Sequence, residues 1–102
     1  MADRPRLEFH PEAIEEARAA RRWYEARSPA AADQFVAELD AAIQRILDAP
    51  DLHAVYFHGT RRCLLHRFPY LVVYRQTAGT AEVIAVAHGR RKPDYWKRRL
   101  DG

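Results

Sequence analysis

Between Glu12 and Asp48 the apolar residues recur with a helical period, whereas from Arg62 to His88 they crowd into three short runs rich in Val, Ile and Tyr. This change of period, inside a chain of 102 residues, limits the possible folds more than any other feature. A helix buries a stripe and a strand buries one or both faces, so such a chain must lay its helices against a sheet. The length supports one modest core, and residues 1–102 are read as a single domain.

In the first helical stretch, Glu12 to Arg27, the residues Ala13, Ala17, Ala20 and Tyr24 keep helical spacing, and Ile14 and Trp23 widen the stripe. Ser28-Pro29 predicts a restart, because Ser accepts from a free backbone N–H and Pro at the first helical position gives up no needed donor. The second helix is carried by Phe35, Val36, Leu39, Ala42, Ile43, Ile46 and Leu47 as far as Asp48, where Ala49-Pro50 stops it. The short join predicts an antiparallel hairpin of helices.

Upstream, Arg6 to His10 alternates with Leu7 and Phe9 on one face, which predicts a short strand ending before Pro11. Asp51 to Thr60 has no sustained period and is read as a loop feeding the sheet. Strands are predicted at Arg62 to Arg67, Tyr70 to Gln76 and Ala81 to His88, the last two joined by the Gly-containing turn Thr77-Ala78-Gly79-Thr80. Pro69 cannot donate to a ladder, so Phe68-Pro69-Tyr70 is read as the turn between the first two. Because L-V-V-Y and E-V-I-A-V-A are almost continuously apolar, these strands should be covered by helices on one face and partly by a loop or tail on the other. Pro93 then opens a helical turn that brings Tyr95, Trp96 and Leu100 back onto the sheet. The predicted class is α+β, in the order β-α-α-β-β-β, with an antiparallel meander packed on a helical hairpin and a short C-terminal helix.

No apolar run approaches the ~20 residues that span a bilayer, and Met1 to Arg6 begin polar without leading into a signal-peptide core, so a cytoplasmic location and no membrane partner are expected. Cys63 is the only cysteine and is read as a buried strand residue. His10 and His66 are read as ordinary strand residues, and His53 and His58 are irregularly placed in the loop. With no Cys pair and no H-E-x-x-H, neither a metal site nor a cofactor is expected. The charge is uneven: residues 1–60 carry 7 Lys/Arg against 11 Asp/Glu, and residues 61–102 carry 10 against 3. An anionic partner should therefore dock on the second half.

The chain resembles the RelE/ParE superfamily of type II toxin–antitoxin systems along nearly its whole length. The matching pieces are F-H-P-E-A at 9–13, R-R-W-Y-E at 21–25, A-A-D-Q-F at 31–35, A-P at 49–50, R-F-P-Y-L-V-V-Y at 67–74 and V-A-H-G-R-R-K-P-D-Y-W at 86–96. The resemblance implies a growth-inhibiting protein held inactive by a cognate antitoxin that lies across helices and sheet, with Trp23, Tyr24, Phe35 and Leu39 as its contacts. It implies one of two targets: DNA gyrase, inhibited by binding in the ParE-like branch, or messenger RNA, cut by a RelE-like endoribonuclease on the ribosome or free.

Metal-independent RNA cleavage needs a group to take the 2′-OH proton, a cation for the phosphorane and a donor for the leaving oxygen. The candidates are His88 as general acid or base, Arg91 as phosphate clamp and Tyr95 as stacking or proton-donating group. Arg62, Arg67, Arg90, Lys92, Lys97 and Arg98 are the further candidates for holding phosphate or a target. Trp96 and Leu100 are read as the apolar lid of the core. Where the RelE pattern has lysines and an arginine in its meander, this chain has Leu64, Leu65 and Leu71, which favours gyrase inhibition over the ribonuclease. A non-toxic nucleic-acid-binding domain stands as the third possibility.

Overall fold

The computed structural model describes residues 4–101; the polar start from Met1 to Asp3 lies outside the described residues. β1 (Arg6–Phe9) leads into α1 (Pro11–Glu25) and α2 (Pro29–Asp48), followed by β2 (Ala54–Val55), β3 (Arg61–Leu64), β4 (Tyr70–Thr77) and β5 (Thr80–His88). Short 3-10 turns lie at Phe57–Gly59 and Lys97–Leu100. The sheet order is β1-β5-β4-β3-β2, with β1 parallel to β5 and every other pair antiparallel. The α+β architecture and the meander are therefore as expected, and the N-terminal strand closes the sheet beside the last one.

Both helices start with a cap. Ser28 Oγ accepts from Ala31 N at 3.3 Å, with Pro29 at the first helical position, so the predicted restart forms. His10, expected in the strand, is instead the cap of α1: its Nδ1 accepts from Glu12 N at 3.1 Å, satisfying a donor that no helical carbonyl can reach.

The meander differs from expectation in two places. The predicted loop contains β2, whose two residues pair with β3 and are too few to show a period. β3 stops at Leu64 rather than Arg67, because the backbone N–H groups of His66 and Arg67 both donate to Glu38 Oε1 on α2, each at 2.9 Å. His66 is thus a bend residue. Between β4 and β5 the turn residues Ala78 and Gly79 have φ of 36° and 80°. Positive φ at both central positions gives the turn whose twist matches a two-residue hairpin.

The core has two sides. Between helices and sheet lie Ala13, Ala20, Phe35, Leu39, Ile46, Val72, Tyr74 and Val86. On the outer face Leu71, Val73, Ile84, Ala85 and Ala87 are covered by Trp96, which is 1% exposed. The β4–β5 register shifts between Val73 and Tyr74, so that Val73 faces Ala85 while Tyr74 faces Val83 and Ile84 is the extra residue. Ile84 and Ala85 consequently both join the outer cluster, and the continuous apolar run of β5 follows from burial on two faces. Among the described residues no helix is long and apolar enough to cross a membrane.

Candidate functional site

β1 pairs with β5 only as far as Phe9, opposite Val83. Beyond that point the edge of β5 meets α1 and the returning tail instead of a strand. Glu16, on α1, accepts the backbone N–H of Val86 at 3.0 Å and holds both terminal nitrogens of Arg99, at 2.9 and 3.0 Å. Arg99 Nη1 in turn donates to the carbonyl of the bulge residue Ile84 at 3.0 Å. An ion pair thus stands in for the missing partner strand.

Tyr95 donates its hydroxyl to the same carboxylate. Burial pushes its phenol above the usual tyrosine range, and the hydrogen bond and negative charge of Glu16 push it the same way against Arg91 and Arg99. Burial alone would lower Arg99, but Glu16 outweighs it and the guanidinium is held above its ordinary value. Arg91 lies over the Tyr95 ring, 3.7 Å from its centroid, with Nη1 3.8 Å from Glu16. Glu16 was not among the sequence-derived candidates. Its signal was a carboxylate within the apolar stripe, three residues after Ala13 and four before Ala20.

Beside this knot lies a mainly apolar cleft of about 450 Å³ between α1 and the β4–β5 end of the sheet, floored by Ala19, Ala20 and Val86 and walled by Trp23, Tyr24 and Tyr70, with His88 and Arg91 among its lining residues. His88 ends β5 opposite Tyr70, the rings 5.1 Å apart, and its Nδ1 accepts the backbone N–H of Arg90 at 3.0 Å. Burial raises the phenols of Tyr24 and Tyr70 above the ordinary tyrosine range. Trp23 is half exposed and stacks under the Arg27 guanidinium at 3.3 Å.

The structure brings His88 and Arg91 to one cleft, with Tyr95 next to it, and disperses the remaining candidates. Arg62 lies on β3, with β4 between it and β5, and its guanidinium sits over the Tyr56 ring. Arg67 turns towards Glu38 on α2 at 3.7 Å, and Arg98 towards Glu12 on α1 at 3.4 Å. Arg90, Lys92 and Lys97 are exposed and have no carboxylate partner among the described residues. Of the residues expected to meet an antitoxin, Phe35 and Leu39 are core residues closed under the sheet, and only Trp23 and Tyr24 face the cleft. Among the described residues no group of three or more His, Cys, Asp or Glu is placed to hold a metal ion.

Comparison with known proteins agrees with this architecture. The sequence pattern described as "ParE toxin of type II toxin-antitoxin system, parDE" matches residues 7–93. The chain is 34% identical over 64 residues to Toxin ParE2 of Mycobacterium tuberculosis, in the strains CDC 1551 / Oshkosh and ATCC 25618 / H37Rv. That match covers 63% of this chain and spans 61% of the relative's length. A solved structure titled "Chromosomal ParDE TA system from P. aeruginosa" superposes with a TM-score of 0.74 over 85% of this chain and 98% of its own, at 15% identity, and so shares the fold. With a family match along most of its length and the same arrangement of helices and sheet, the chain belongs to the ParE toxin family of type II toxin–antitoxin systems.

Proposed function

We propose that this chain arrests growth by binding DNA gyrase in the cytoplasm without hydrolytic chemistry, and that a cognate antitoxin restrains it by filling the cleft between α1 and β5. The observation that carries the choice of target is the engagement of Tyr95 and Arg91 by Glu16. A phenol donating to a partly buried carboxylate, with its ionisation pushed up, is a poor proton shuttle for a ribose 2′-OH. Leu71, buried on the outer face, adds no cation there. The antitoxin reading draws on the half-exposed Trp23 and the apolar floor of the cleft, where one aromatic or aliphatic side chain of a partner would be desolvated.

Two assays on the purified chain, gyrase supercoiling and cleavage of messenger RNA with and without ribosomes, test the proposal. Inhibited supercoiling with intact RNA is the expected result; unimpaired supercoiling at saturating dose removes it. The ribonuclease alternative is favoured by one observation, that His88 and Arg91 line the same cleft. It predicts that His88→Ala and Arg91→Ala each abolish RNA cleavage and growth arrest while the fold is retained.

A further inference from the structure

We infer that the target protein docks on the sheet edge farthest from the cleft, formed by β2 and the outer face of β3, and that it does so by adding an extended, acid-flanked segment beside β2. This inference rests on the toxin reading above and specifies where the target is held.

Four of the seven large apolar residues left exposed among the described residues fall between positions 52 and 64: Leu52 at 84%, Val55 at 72%, Leu64 at 52% and Phe57 at 46%. β2 is last in the sheet order, so one side of it carries unpaired backbone N–H and C=O groups. Edges are blunted by short strands, charge or proline, and β2, two residues long, carries only Ala54 and Val55, with neither charge nor proline. An open ladder edge with apolar side chains beside it fits an added strand.

The rim gives the partner's charge. Arg61 and Arg62 lie directly across from Val55 and Ala54, and neither has a carboxylate partner among the described residues. The Arg62 guanidinium rests over the Tyr56 ring, 5.2 Å from its centroid, and Arg61 spends one nitrogen on His53 O. Directly paired residues share a face, so Arg61 and Val55 lie on the helix side of this edge and Arg62 and Leu64 on the outer side; a cation and an apolar residue on each face complement an acidic, apolar segment. A phosphate backbone fits less well, because the exposed Leu64 shares the outer face with Arg62 and offers it nothing. β3 and β4 separate β2 from β5, a distance of about 14 Å at ordinary strand spacing, so this edge and the cleft can be filled by different partners.

The test compares Val55→Glu, Leu64→Glu and Arg62→Glu with the control Leu7→Glu, which puts the same charge on the opposite edge. Each full-length chain is induced alone in a bacterial host to score growth arrest, and its binding to purified gyrase holoenzyme is measured. Circular dichroism checks the fold, and Val55→Thr, which keeps strand preference, replaces any glutamate variant that does not fold. The expected result is loss of arrest and at least tenfold weaker gyrase binding for the three edge variants, a smaller loss for Val55→Thr, and no change for Leu7→Glu. Folded Val55→Glu and Leu64→Glu chains that still arrest growth overturn the surface alone. Loss confined to Arg62→Glu also overturns it and points to a nucleic-acid phosphate. A wild-type chain that arrests nothing overturns the toxin reading together with the surface, and arrest without gyrase binding leaves the arrest scores to judge the edge.

Discussion

Glu16 is a carboxylate on a helix face otherwise given to alanine, and four donors converge on it from 70 to 83 residues away. Arg99, with a side chain 6% exposed, has no other carboxylate as close among the described residues. Glu16→Ala should therefore leave a buried cation unpaired and cost about 3 kcal/mol or more, read as a fall in the urea midpoint. Tyr74 makes a second prediction. Burial pushes its phenol up to about 12, partly offset by Arg61, and its hydroxyl donates to Pro50 O at 2.7 Å. Above about pH 10 the unfolded phenol releases its proton while the native one keeps it, so stability is complete below that pH and falls as the pH rises towards 12. Urea midpoints at about pH 9 and about pH 11.5, with phenolate absorbance, measure this; an unchanged midpoint would contradict it. Neither role was legible in the sequence. The stripe position marks Glu16 as unusual, but only the returning tail identifies what it holds.

The helices were the most legible elements, because their caps are local. Ser28-Pro29 fixes the start of α2 through one hydrogen bond within three residues. Ser28→Ala should cost about 1 kcal/mol, visible as a lower melting temperature with the helical signal retained at 25 °C, a temperature at which the rest of the fold remains. The strands were legible as runs and less so in extent. Val72, Val83 and Val86 carry the pattern of buried strands, but β3 is shortened by Glu38, a residue of another element, and the bulge at Ile84 depends on pairing. His10 is misleading for a related reason: its alternation extends β1, while its imidazole belongs to α1. The tail was expected to return Trp96 to the sheet, and it does so through turns and a 3-10 segment that starts only after Trp96.

Across the whole molecule, the charge asymmetry read from the sequence is partly spent inside the fold. Glu12 and Glu16 of the acidic half take Arg98, Arg99 and, more distantly, Arg91 of the basic half, while Arg90, Lys92 and Lys97 stay unmatched on the surface. The candidate site was thus legible as a segment, His88 to Tyr95, and its division into engaged and displayed residues was not, since that depends on α1. On the proposal that the antitoxin fills the cleft and the target docks on the opposite edge, Trp23→Ala should reduce neutralisation by the antitoxin at least tenfold in dissociation constant and leave growth arrest intact. Calorimetry of the pair together with growth curves of the chain alone would check both halves of that statement.

The parallel pairing of β1 with β5 also governs when the protein comes into being. β1 finds its neighbour only after the hairpin at Ala78-Gly79 and the strand beyond it have been synthesised, and the turn through Arg99 closes the same edge. Contacts so distant along the chain form late and slowly. During translation the amphipathic helices emerge before the meander, with their apolar stripes uncovered and no completed sheet beneath them. The edge of β5 is therefore completed only once the segment that carries Arg99 is available to close it.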